Sequence, residues 1–189
     1  MLESADTTQP LTACSDIPER TNLLGMSRQQ LETFLTELGE KPYRARQIFK
    51  WIHHFQLQDF QAMTDISKSL RRQLEATCHI TPLQILSDHT AKDGTRKWLF
   101  SVDTQQNQAT ETAKSAIETV FIPEKNRGTL CVSSQVGCIL DCQFCSTGKQ
   151  GFQRNQTSSE IISQIWLAQK ALRPHGNQDR SPITNVVFM

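Results

Sequence analysis

Cys138, Cys142 and Cys145 form a C-x3-C-x2-C run within residues 129–145, TLCVSSQVGCILDCQFC. Spacers this short let three thiolates converge on one metal centre. The count of three matters, because a 4Fe–4S cube in an electron carrier takes four cysteines and a structural zinc site also closes with four ligands. Three thiolates on a cube leave one iron open to bind a substrate. An open iron can chelate the amino acid end of S-adenosylmethionine (SAM), and an electron passed into the sulfonium then releases a 5′-deoxyadenosyl radical. The alternative is a zinc site completed by Cys131 or by a distant histidine. Cys131 lies seven residues upstream of Cys138, at the end of an expected strand, and is poorly placed for the same short loop.

Phe144 precedes the last cysteine. An aromatic ring there either packs the loop or walls the adenine of a bound cofactor. Glu118 is a candidate acid–base residue. Alternation along Ala116–Ile122 puts it on one face with Val120 and Ile122. A carboxylate buried on such a face is driven toward the protonation range of a general base, whereas one at a solvated sheet edge is an ordinary surface acid. The pattern leaves both open.

The elements that position these residues follow from periodicity. Residues 1–20 are polar and acidic, and disorder is expected. A helical module spans 21–79. Ser27 and Gln30 make a capping box before the stripe Leu31, Phe34, Leu35 and Leu38, which ends at Gly39. Pro42 opens a second helix carrying Tyr43, Ile48, Trp51, Ile52 and Phe55, and Ile66, Leu70 and Leu74 line a third.

Between Lys41 and Arg72 stand seven basic residues, Lys41, Arg44, Arg46, Lys50, Lys68, Arg71 and Arg72, against Asp59 and Asp65. Such a surplus either marks a phosphate-binding surface or solvates the outer faces of an amphipathic bundle.

Residues 80–128 read as a β-extension. Asp93-Gly94 signals a hairpin between Leu83–Ser87 and Arg96–Val102, Asp103–Ser115 is a polar loop, and Ala116–Ile122 is a strand stopped by Pro123. Residues 129–189 hold the cysteine loop between an expected strand, Leu130–Ser134, and a helix. Thr157 and Glu160 cap that helix. Its buried side is Ile161, Ile162, Ile165, Trp166, Ala168 and Leu172, and Pro174 with Gly176 close it. Ile183–Met189 then reads as a buried strand. Strand, helix, strand implies parallel pairing and an α/β domain. An apolar strand at Met189 with nothing to cover it implies that more chain follows.

With 189 residues, a net charge of +1 and 37% hydrophobic residues, the composition is that of a soluble globular protein. No signal peptide or long apolar run is present, so a cytoplasmic, membrane-free protein with reduced thiols is expected. Cys14 and Cys78 stand apart from the cluster and read as incidental.

The run TLCVSSQVGCILDCQFCSTGKQGFQRN, with IETVFIP upstream and a helical module before it, resembles the dual-specificity rRNA and tRNA adenine-C2 methyltransferases of the radical SAM superfamily. The resemblance extends from Leu24 to Met189. It implies a helical accessory domain that binds RNA, followed by the opening of a radical SAM (β/α) barrel. It also implies a 4Fe–4S cluster on Cys138, Cys142 and Cys145, and SAM as methyl donor and radical source.

Family members are longer. The remainder would supply most of the barrel, a Gly-Glu-Pro motif that holds SAM and the cysteine that carries the methyl group, so these 189 residues alone are expected to be inactive. Glu118 matches the family's proton acceptor and Cys131 its resolving thiol, which forms a transient disulfide. The implied partners are a large-subunit rRNA adenine, the adenine beside the anticodon of some tRNAs and an external electron donor, with the protein a monomer. Two other readings stand beside this one: the sister adenine-C8 rRNA methyltransferase, and a non-catalytic RNA-binding module stabilised by zinc.

Overall fold

The computed structural model describes residues 20–102, 115–140, 142–173 and 181–189. The expected tail, Cys14, nearly all of the Asp103–Ser115 loop and the Pro174/Gly176 stop lie outside them.

Three helices build the first layer: α1 (Arg28–Glu37), α2 (Tyr43–His53) and α3 (Lys68–Thr77). The Ser27–Gln30 capping box forms as expected, and Gly39 takes the positive φ (82°) that ends α1. Leu31, Leu35, Ile48, Ile52, Ile66, Leu70 and Leu74 are buried together with Leu23, Leu24 and Met63. A short parallel pair, β1 (Thr21–Asn22) with β2 (Cys78–His79), draws the two ends of the module together and buries Cys78. Of the residues expected on the second helix, Tyr43 opens α2 and is exposed, whereas Phe55 lies past its last residue, its ring tilted against Trp51 with centroids 4.8 Å apart.

The second layer is a five-stranded sheet in the order β3 (Gln84–Thr90), β4 (Arg96–Ser101), β5 (Ala116–Pro123), β6 (Gly128–Val132), β9 (Asn185–Phe188). The first four strands pair antiparallel and β9 pairs parallel with β6. The short antiparallel pair β7 (Gln135–Val136) and β8 (Arg154–Asn155) brackets the cysteine loop. Helix α4 (Ser158–Leu172) crosses from β8 back to β9, which makes the expected βαβ unit. β3 runs three residues further than expected, because the hairpin turn closes at Ala91–Thr95. There Asp93 accepts from the Thr95 N–H at 3.0 Å and Gly94 has φ +85°.

Helix α4 serves both layers. Ala168, Ile165, Ala171 and Leu172 pack on Trp98, Phe100, Ile117, Phe121, Leu130 and Val132 of the sheet. Trp166 and Ile162 instead enter the helical cluster, where the indole N–H donates to the Ile52 carbonyl at 2.8 Å. The expected all-apolar buried side of α4 needs correction. Its fully buried residues are Glu160, Ser163, Gln164, Trp166 and Ala168, while Ile161, Ile162, Ile165 and Leu172 are half-buried. β9 is the last strand of the sheet among the described residues, with Ile183 buried just before it and Val187, Phe188 and Met189 exposed, as expected of an apolar strand with nothing to cover it.

Glu160 closes the α4 capping box on Thr157 and takes both Arg154 guanidinium nitrogens, at 2.7 and 2.9 Å. Burial pushes its carboxyl up, but the Arg154 and Thr157 hydrogen bonds more than reverse this and hold it below its ordinary value. A carboxylate with a depressed folded value stabilises fully above the unfolded value, and that stability disappears as pH falls through the folded one. The gap in thermal midpoint between wild type and Glu160→Gln is therefore expected to be widest near neutrality and to close below about pH 4. A gap unchanged between pH 7 and pH 3, by thermal circular dichroism, would contradict this ion pair.

Candidate functional site

The face of the sheet that carries the candidate chemistry follows from register. Thr119 and Phe121 point into the core under α4, so Glu118, Val120 and Ile122 point the other way. Val120 pairs with Cys131, and Cys131 pairs in turn with Val187. Glu118 and Cys131 therefore share one face of the sheet as diagonal neighbours, a relation that sets backbones about 7–8 Å apart. Lys97 on β4 pairs with Val120 and joins the same face.

Glu118 is not buried. Its side chain is 53% exposed and meets Lys97 Nζ at 3.0 Å. Of the two alternatives left open by the pattern this is the solvated one, since the sheet face opposite α4 stays open around the carboxylate among the described residues. Lys97 carried a legible signal, a cation at alternate position on the neighbouring strand, but the partner only becomes identifiable once register is known.

The cysteine loop springs from the end of β6. The β5–β6 ladder stops at Val132, two residues before the expected end of the strand, and the chain leaves the sheet at Ser133. Gly137 has φ +75°, and the Cys138 N–H donates to the Gly151 carbonyl at 3.2 Å, so the loop is pinched at its base. Cys138, Cys142 and Cys145 are half-buried free thiols. Cys145 N–H donates to the Cys142 carbonyl at 3.0 Å. Hydrogen bonds from the Gly148 and Thr147 backbone hold the Cys145 thiol below the usual range. Among the described residues, no three His, Cys, Asp or Glu side chains are gathered closely enough to hold a metal ion. Phe144 is 93% exposed, which removes the loop-packing alternative for its ring. Ile139 and Leu140 are exposed beside it.

The basic residues divide. Arg44 is held inside the module by Gln47 at 2.9 Å and the Asp65 carbonyl at 3.3 Å, and Arg71 by the Gln61 carbonyl at 2.6 Å. Lys41, Arg46, Lys50, Lys68 and Arg72 are exposed. Arg46 and Lys50 line an open groove between α1 and α2 with Arg28, Gln29, Glu32 and Phe49. Arg28 was absent from the sequence-level set because it precedes the charge run and joins the patch only through the α1–α2 packing.

Residues 21–80, the helical module, match the family described as the ribosomal RNA large subunit methyltransferase N-terminal domain. Similarity continues well past the N-terminal domain. Over 171 residues, 90% of the chain, it is 52% identical to the dual-specificity RNA methyltransferase RlmN of Alcanivorax borkumensis and 51% identical to that of Marinobacter nauticus. These alignments cover 42% and 44% of the two relatives, so the chain spans well under half the length of the curated proteins it matches. Among solved structures, a radical SAM methyltransferase from Sphaerobacter thermophilus superposes with a TM-score of 0.72 at 36% identity, covering 89% of this chain and 47% of that one. The α/β architecture, with the helical module packed on the helix of its first βαβ unit, is thus similar to part of that radical SAM methyltransferase structure. No helix among the described residues is long and apolar enough to cross a membrane.

Proposed function

We propose that this chain carries the RNA-binding module, the cluster loop and two catalytic groups of a radical SAM RNA methyltransferase. Its target is C2 of an adenine in large-subunit rRNA and of the adenine beside the anticodon in tRNA. The observation that carries this reading is the shared sheet face of Glu118 and Cys131, with the cysteine loop rising from the end of the same strand as Cys131. The relatives' printed name, dual-specificity RNA methyltransferase, supports the substrate class.

The donor types suit a 4Fe–4S cluster, three thiols on one pinched loop with backbone N–H groups directed at one sulfur, and the three side chains would have to draw together to hold it. Cys138, Cys142 and Cys145 would hold the cluster, which when bound with SAM supplies the radical. Phe144, exposed on the same loop, is available to stack on the adenine of SAM. Glu118 accepts the proton from the substrate carbon, oriented by Lys97. The Cys131 thiolate attacks the sulfur that carried the methyl group, on a cysteine not assigned among these residues. The disulfide forms as the bond from that sulfur to the adenine-bound carbon breaks, and its electron pair goes to the carbon, which takes up a proton as the methyl product. Exposed Lys41, Arg46, Lys50, Lys68 and Arg72 contact RNA phosphates, and the target adenine is taken out of its stack.

Anaerobic reconstitution with iron and sulfide tests this reading. The chain is expected to turn brown and bind about four irons. Single alanine variants of Cys138, Cys142 or Cys145 should abolish loading, and Cys131→Ala should leave it intact. A colourless protein that retains zinc, with retention weakened in Cys131→Ala, would replace this reading by the zinc-stabilised RNA-binding module. The position of the new methyl group on adenine, made by protein of the relatives' full length, separates C2 from C8 chemistry.

A further inference from the structure

Gln164 is an uncharged polar side chain with no exposed surface, on the buried face of α4 with Glu160, Ser163 and Ala168. Its amide uses its full bonding capacity. The oxygen accepts from the Thr119 hydroxyl at 2.7 Å and the Ser133 N–H at 2.9 Å, and the nitrogen donates to the Ser133 carbonyl and to Gln156 Oε1, both at 2.9 Å. One side chain thus holds both backbone groups of the residue at which β6 leaves the sheet. Gln156, itself buried, extends the grip: its N–H donates to the Ser134 carbonyl and its side-chain nitrogen to the Gln135 carbonyl, at 3.0 and 3.3 Å. Thr119 is the neighbour of Glu118 on β5, and the Ser133 hydroxyl donates to the Glu118 carbonyl at 2.7 Å.

We propose that Gln164 is a positioning residue whose amide, relayed through Gln156, sets the root of the cysteine loop against the strand that bears Glu118. The β5–β6 ladder ends one residue earlier, at Val132, so beyond it the two segments are joined through side chains, the Ser133 hydroxyl on the Glu118 carbonyl and the Gln164 amide between Thr119 and Ser133. A buried amide with every bond made rigidifies its surroundings, whereas an apolar residue of the same size would leave four groups unpaired. Both strand residues that the proposed reaction uses, and the loop that would hold the cluster, are then referenced to a single point on α4. This inference rests on the proposed reading of that loop.

The test compares Gln164→Leu, which removes all four bonds, with Gln164→Glu, which keeps the volume and the acceptor contacts. Hydrogen exchange should rise about tenfold or more at Ser133–Gln135 and Gln156 in Gln164→Leu, and less in Gln164→Glu, with α1–α3 unchanged. Iron retained after anaerobic reconstitution should fall in the same order. Unchanged exchange at the loop root overturns the inference, and so does a local rise with full iron retention.

A rise spread through the helical module, or failure of both variants to fold, makes Gln164 a plain core residue and overturns it as well. If the wild-type chain takes up no iron, the cluster reading fails on its own. The relative alkylation rates of Cys138, Cys142 and Cys145 against Cys131, by mass spectrometry, then replace iron as the second readout. A changed ratio in Gln164→Leu supports the inference and an unchanged ratio overturns it.

Discussion

Trp166→Ala is expected to lower the free energy of unfolding by about 3–5 kcal/mol, the usual range for removing a buried large aromatic. Trp166 is 3% exposed and projects from α4 into the helical module. Its indole N–H donates to the Ile52 carbonyl at the end of α2, and its own carbonyl accepts from Gln56 at 2.8 Å. Gly25 admits α4 next to this contact, since a Cβ there would stand 2.5 Å from the Ser159 nitrogen. Removing the indole opens a cavity at the junction of the two layers, so the module should loosen from α4 as well as lose stability.

Trp166→Phe keeps most of the apolar volume and deletes the hydrogen bond, and a cost of about 1–2 kcal/mol is expected. Urea titration followed by fluorescence and far-ultraviolet dichroism measures both. An alanine variant within 1 kcal/mol of wild type would show that the layers are held by other contacts.

Gly137→Ala is expected to carry the second large effect, and to strike the cysteine loop directly. An L residue at φ +75° costs about 1–3 kcal/mol. A Cβ at this position would also stand 1.7 Å from the Gly151 carbonyl oxygen, far inside contact distance, and backbone rather than a flexible side chain must yield. That oxygen accepts the Cys138 N–H, so the bond that pinches the loop breaks at the first of the three thiols.

Gly151→Ala separates the two causes. Gly151 also has a positive φ (68°), but a Cβ there meets nothing within 4 Å. Gly151→Ala should lower the thermal midpoint modestly and retain iron, whereas Gly137→Ala should lower it further and lose iron on reconstitution. Equal effects of the two substitutions on both readouts would mean that the pinch does not position the thiols.

These residues mark where the sequence was sufficient. Helix ends were legible because capping boxes are local: Ser27 with Gln30 and Thr157 with Glu160 satisfy orphan N–H groups within three residues, and both formed. The βαβ order was equally readable, since capping, apolar periodicity and β-branched runs succeed one another along the chain. Alternation on β5 told which residues share a face with Glu118, because a strand's period is two.

What the sequence determined by itself, then, is the identity of the chemistry-bearing groups and the local elements that carry them: a trio of thiols on a short loop, a carboxylate on a strand, a basic helical module. Tertiary structure alone decided how those elements meet. The register that brings Cys131 opposite Val120, and so beside Glu118, depends on pairing between strands with a turn between them. The open face that leaves Glu118 beside Lys97 depends on which side α4 covers. Gln164 reads as a lapse in an apolar stripe until three separate segments, β5, the end of β6 and the residue before the α4 cap, are folded around its amide. Local signals reach a few residues along the chain, and a four-way hydrogen-bonded junction exists only in three dimensions.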